Sequence, residues 1–259
     1  MSSFKAIAPS TPGIVPDIAG DYIKNLEVAV NAVLKLAIKI HAEKPDLVIL
    51  LSPEQPILHH RFAVSYGSAV RAFSSNVDES RHIELEFPCD TEFVDAFVER
   101  AFDAKIQLET FTQDGGATAI DNASLGILYY LHHLGLDVPV VLIGVSDLSL
   151  RAHKDLGTII EDTLEITERH AAVVALGAYD TSSLYTEAFL DTISEGKKLD
   201  EYYNSSEPEV LENTMTSLLH PMAILSGMEH MRNFHDLGKQ HLGDEGYLTG
   251  YFDTKSLTK

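Results

Sequence analysis

Three continuous apolar runs constrain this chain most: Leu47 to Leu51, Val138 to Val145 and Ala171 to Leu176. Each is strand-length and apolar at successive positions, so each expects burial on both faces of a sheet, with helices covering it. The segments between them supply those helices. After a short strand, Lys5 to Ala8, and a proline-rich loop, Pro9 to Gly13, apolar residues recur at helical spacing at Ile23, Leu26, Val30, Val33, Leu34, Ala37 and Ile40. Asp21 is read as the N-cap of that helix, and Lys44-Pro45-Asp46 ends it. Strand, helix and buried strand make a βαβ unit, which implies parallel pairing.

Further along, His82 to Phe87 alternates like a half-exposed strand, and Asp90 to Ala104 reads as a helix. Asp114-Gly115-Gly116 is a turn, and Ser124 to Leu134 and Arg151 to Thr167 are helices. Tyr185 to Ser194 is helical, a long helix is expected from about Pro208 to Met231, and Gly246 to Phe252 closes the chain as a strand. The fold class expected is α/β: one domain over residues 4–252, a mainly parallel central sheet with helices on both faces, then a tail at 253–259. In such a sheet the ligand crevice lies at the carboxyl ends of the strands. Here those are Ser52-Pro53-Glu54, Ser146-Asp147 and Gly177 to Asp180.

Composition removes several function classes. With 39 acidic and 19 basic side chains the net charge is −20, which repels phosphate backbones and anionic membrane surfaces, so neither nucleic acid nor membrane is an expected partner. No apolar run approaches the ~20 residues that cross a bilayer, and Met1 to Lys5 carries no apolar signal region. One cysteine, Cys89, cannot pair within the chain and fits a reducing compartment, so the expected location is cytoplasmic. Cys89 is read as a small side chain near a strand end.

Ordered motifs then carry a resemblance. Ala6-Ile7-Ala8-Pro9-Ser10-Thr11-Pro12, with Ile14-Val15-Pro16-Asp17-Ile18 behind it, has the form A-x-x-P-(H)-x-P followed by I-x-P-x-I, with Ser10 at the histidine. Pro45 to Glu54 has the form P-D-x-x-x-x-x-S-P-(H), with Glu54 at the histidine. Asp121-Asn122 stands where a D-H pair is expected, and His153, Leu156 and Gly157 match H-x-x-L-G. Pro221 to Gly227 and Glu245 to Leu248 match a closing helix and strand. Together these resemble the class III extradiol ring-cleavage dioxygenases, in the Memo-like superfamily, from about residue 4 to 252.

That resemblance implies ferrous iron held by two histidines and a carboxylate, with positions left open for catechol and dioxygen. It also implies a further histidine as acid/base. This sequence departs from the pattern at those positions. Ser10 and Glu54 replace the two histidines, Thr216 aligns with the carboxylate, and Asn122 replaces the D-H histidine. Gly177 to Ser182 matches a G-D-x-S-H loop without its histidine. No inherited iron site is therefore expected, and no cofactor.

The candidate crevice residues are Ser10, Glu54, Asp121, Asn122, His153, Asp180 and Thr216, and three readings remain open. The first is a degenerate, non-catalytic or chemically altered homologue, a pseudoenzyme. It keeps a small-molecule crevice or serves as partner subunit in a homo- or hetero-oligomer with an active family member. The second is a metal-dependent oxidoreductase with shifted Fe(II) ligands, Glu54 with His59 or His60. The third is a metal-free enzyme using Glu54, Asp121 and Asp180 for acid/base work. His132 and His133 are read as helix-end residues beside the dipole, and His230, His235 and His241 as surface residues.

Overall fold

The computed structural model describes residues 3–55, 58–73, 83–112, 116–195, 199, 202–203, 206, 210, 214, 216–228 and 231–253. The chain opens with β1 (Phe4–Pro9), a 3-10 turn (Pro12–Ile14), α1 (Pro16–Ala19), a second 3-10 segment (Gly20–Leu26) and α2 (Glu27–Glu43). Then come β2 (Leu47–Ser52), β3 (Phe62–Ser65), β4 (Ala69–Phe73), β5 (Glu84–Pro88), α3 (Thr91–Asp103), β6 (Leu108–Phe111), β7 (Ala117–Ala119) and α4 (Asn122–His133). The second half holds β8 (Val140–Gly144), α5 (Leu150–Ile166), β9 (Ala171–Gly177), β10 (Tyr179–Asp180), α6 (Leu184–Glu195), α7 (Leu219–Gly227), β11 (Arg232–Leu242) and β12 (Glu245–Asp253).

The large sheet runs β10-β12-β1-β9-β2-β8-β3-β6, with β11 added to β12, and β5-β4-β7 form a separate three-stranded sheet. The continuous apolar runs are its centre, where β1, β9, β2 and β8 pair in parallel. Their alternate side chains feed two buried clusters. Ala6, Ala8, Val48, Leu50, Leu142 and Val174 face the helices α2 and α4, and Ile7, Ile49, Leu51, Val141, Ile143 and Val173 face α3, α5, α6 and α7. The fold is thus α/β with helices on both faces.

The sheet is mixed, which corrects the expectation of a mainly parallel one. β12 is antiparallel to β1, β10 and β11, and β3 is antiparallel to β8. A parallel return needs a crossover of roughly a dozen residues or more. The β2–β3 connection, 53–61, is shorter than that, so the chain turns back. At the other edge, β11 and β12 are joined by a tight turn at Gly243, whose φ is 62°.

Two helix boundaries also differ from expectation. Asp21 is not an N-cap, because Gly20–Leu26 is a 3-10 segment and α2 begins at Glu27. The cap comes instead from across the fold, where the Gln240 side chain accepts from Ala29 N at 2.7 Å and donates to the Asn25 carbonyl. The long helix expected from Pro208 to Met231 is, among the described residues, only Leu219–Gly227, and Pro208 and His230 lie outside those residues. Pro221 explains the boundary. It lacks an N–H and is tolerated only in a helix's first turn, where it sits.

Asp121, by contrast, caps α4, accepting from Ser124 N at 2.6 Å. Of the expected tail, Asp253 belongs to β12. His82, Asp114 and Gly115 lie outside the described residues. Among those residues no helix is long and apolar enough to cross a membrane.

Candidate functional site

The register of the parallel strands brings their carboxyl ends to one level: Pro9 lies beside Gly177, and Ser52 beside Gly144. Ser10 N continues the ladder to the Gly177 carbonyl at 3.3 Å. Along this edge five of the seven candidate residues fall into two groups, with Ser10 and His153 in neither.

The first group surrounds a cavity of about 430 Å³. Asp180 and Thr216 line it together with Ser217, Leu242, Asp244 and Glu245. Local bonding fixes these side chains. Asp180 accepts from the Ser182 hydroxyl and amide, which hold its carboxyl below the usual range. Thr216 donates to the Ala178 carbonyl at 2.9 Å and accepts from Leu218 N at 3.0 Å. Glu245 sits directly across from Asp180 in the antiparallel ladder and accepts from the Tyr247 hydroxyl. Burial first, and then that carboxylate, push the Tyr247 phenol well above its ordinary value. Two carboxylates opposed across a ladder repel each other. The cavity is therefore acidic on one side, with Ala178, Tyr179 and Leu242 completing its wall.

The second group is gathered at the start of α4. Glu54 accepts from Ala123 N at 3.2 Å while Asp121 accepts from Ser124 N, so two carboxylates share one helix N-terminus. The buried Gln55 side chain donates to the other Asp121 oxygen. Burial, then the Asp121 charge, raise the Glu54 pKa, against the opposing pull of the Ala123 amide. Asn122 is the exposed first residue of α4.

A test of this cluster is direct. Asp121→Ala should lower stability by about 2 kcal/mol, since it removes a cap worth about 1 and strands the Gln55 amide. Asp121→Asn should recover most of the loss. It should also bring the Glu54 carboxyl down toward its ordinary range, read by NMR titration of the Glu54 side chain. It should stop short of that range because burial, the larger cause, remains.

His153 does not join either group. It lies beneath the other face of the sheet, fully buried, with Nδ1 3.0 Å from the Ser149 carbonyl and Nε2 3.3 Å from Ser146 N. Its ring meets Phe62 edge-on at 4.9 Å and His220 at 4.5 Å. Burial lowers its pKa to about 4, the Ser149 carbonyl opposes that, and His220 adds to the lowering. His220 had no distinguishing signal in the sequence beyond standing just before Pro221. Glu245 was legible only as the start of the closing-strand motif, Gln55 only as the neighbour of Glu54, and Asp244 had no signal.

His59, His60, His132, His133, His235 and His241 are outward. His59 Nδ1 lies 2.7 Å from Asp147, and His60 N donates to the same carboxylate at 2.8 Å; both side chains are exposed. His133 and His132 end α4, with His133 Nδ1 2.8 Å from the Tyr129 carbonyl. His235 and His241 are exposed on β11. Cys89 is half-buried after β5, and burial raises its thiol pKa to about 11.

A two-histidine, one-carboxylate iron centre does not fit this donor set. Ser10 and Thr216 offer neutral hydroxyls, and that of Thr216 is engaged on both sides. Glu54 is turned to α4, His59 and His60 to Asp147, and both ring nitrogens of His153 have partners. Among the described residues no three His, Cys, Asp or Glu side chains converge as a metal site.

No family model matches the chain, and no curated protein matches it. Among solved structures it is similar to uncharacterized protein JW3007 from Escherichia coli K12, with a TM-score of 0.61 and 14% identity over 87% of this chain and 92% of that one. The likeness is one of fold.

Proposed function

We propose that this chain is a degenerate homologue of the extradiol dioxygenases, binding a small polar molecule at the strand ends without cleaving catechols. The observation that carries this reading is the cavity itself. Asp180, at a strand end, and Thr216, at the position that aligns with the family carboxylate, line it with Ser217, Asp244 and Glu245, while the Glu54 and Thr216 side chains are engaged in hydrogen bonds. A reducing, cytoplasmic setting accords with the single cysteine and the charge of −20. Service as partner to an active family member belongs to the same reading.

Metal loading tests it. Protein purified without a tag and resupplied with Fe(II) under anaerobic conditions should retain far less than one iron per chain and leave catechols uncleaved. Stoichiometric iron that disappears in Glu54→Ala would overturn the proposal and favour the shifted-ligand oxidoreductase.

A second reading rests on the Glu54–Asp121 pair. Like charges held close raise one pKa, which is what a general acid near neutral pH requires. Asp180 lies outside that pair, on the cavity, so a three-carboxylate mechanism is not supported by the arrangement. Turnover of a small polar substrate lost in Glu54→Gln but not in Asp180→Asn would favour this second reading.

A further inference from the structure

The buried His153–His220 pair is used by neither reading, and its bonding is directional. Nε2 faces an amide N–H and therefore acts as acceptor, while Nδ1 faces a carbonyl and carries the proton. The tautomer thus follows from the partners. Ser146, whose amide is held, begins the turn between β8 and α5, and the next residue, Asp147, holds the 58–61 turn through His59 Nδ1 and His60 N. His60 itself is pinned at a positive φ of 65°. A continuous series of contacts therefore runs from α7 through His220, His153 and Ser146 to Asp147 and the outward turn of 58–61.

We propose that His153 is an acid-operated latch, whose protonation at Nε2 releases the β8–α5 turn and with it the 58–61 turn at the rim of the strand-end crevice. Adding a proton to Nε2 sets an N–H against the Ser146 N–H, so the bond that holds the turn becomes a repulsion. Among the described residues the His153 ring is bonded to the Ser146 amide and the Ser149 carbonyl, and to no carboxylate. From α7 the facing group is His220, from β3 the apolar ring of Phe62, and along α5 the flanking charges are Arg151, Lys154 and Asp155. Asp147, the one carboxylate on the turn, is directed to His59 and His60. Among the described residues His220 is the one group that acts on His153 by its charge, and it opposes a second positive charge. An opened turn that lets His153 reach water removes that conflict.

Amide hydrogen exchange, corrected for intrinsic rates, tests the latch. Between pH 7.5 and pH 5 the Ser146 and His60 amides should lose protection together, by roughly 30-fold. That is the factor expected if the imidazole moves from about 4 when latched to 6.5 when released. Amides of β9 should keep theirs. His153→Gln retains an acceptor for Ser146 N–H and no charge, so its exchange at these two sites should be independent of pH. Equal loss in His153→Gln, or loss of β9 protection by the same factor, would overturn the latch. Glu54 also has a raised pKa, so Glu54→Gln is the control. It should behave as the parent does, and abolition of the effect there would assign the change to Glu54 instead. Should His153→Gln fail to fold, the parent protein decides alone. The His153 Nε2 nitrogen shift and the Ser146 exchange must titrate with one midpoint, and separate midpoints would refute the proposal.

Discussion

Gly157→Ala should lower stability by about 3 kcal/mol or more, read from urea unfolding, and Gly227→Ala should match it. The two glycines let α5 and α7 touch backbone to backbone. A Cβ on Gly157 would lie 1.9 Å from the Ile224 carbonyl oxygen, and one on Gly227 would lie 1.8 Å from that of Lys154. The obstacle on both sides is backbone, so no side-chain rotation relieves it, and the helices must separate. Their separation would also disturb His153 on α5 and His220 on α7, whose rings meet at the same contact. The Thr158 hydroxyl, bonded to the Gly227 carbonyl at 3.0 Å, would lose its partner as well. A loss below about 0.5 kcal/mol, the range of an ordinary surface change, would mean the close approach is not needed.

The second large effect concerns a buried charge. Lys5 on β1 is 1% exposed and meets Glu161 of α5 at 3.4 Å; Ser3 donates to the same carboxylate oxygen. Removing Glu161 takes a compensating charge from the buried Lys5 ammonium, so Glu161→Ala should cost about 3 kcal/mol. The comparison is internal. Lys39 and Glu43 form a closer pair, 2.8 Å, but both are more than a third exposed, and Glu43→Ala should cost under about 0.5 kcal/mol. Lys5→Met with Glu161→Leu should restore much of the first loss, because apolar replacement of a whole buried pair is often neutral. Equal losses for Glu161→Ala and Glu43→Ala would contradict this account of burial.

What could be read from the chain follows the locality of each signal. Leu47 to Leu51 and Ala171 to Leu176 announce themselves as buried strands because burial on both faces leaves a continuous apolar run. β11 was invisible for the opposite reason. Arg232 to Leu242 is polar and largely exposed, a strand held by its pairing with β12 rather than by its own composition. The same distinction separates the two caps. Asp121 caps a helix from within three residues, a local signal, although its sequence context marks it only as the acid of a D-H pair. Gln240 serves α2 from 211 residues away and gives no local signal.

For the candidate site, the strand-end rule pointed to Asp180 and Glu54, which do lie at the carboxyl ends of the strands, and the ordered motifs added Thr216 and Asp121. Which of them face one another depended on register and helix placement. The sequence had no local sign that His153 lies beneath the opposite face, or that Glu245 would oppose Asp180.

The placement of β1 bears on how the molecule is made. Its neighbours in the sheet are β9, over residues 171–177, and β12, over 245–253. β1, whose side chains are all buried in the finished fold, therefore waits until residues 171–177 and 245–253 have followed it. Pairings so distant in sequence are slow to form and leave sticky edges exposed meanwhile. Chaperone dependence during synthesis, and aggregation when the β11–β12 hairpin is removed, are the consequences to look for in the cell.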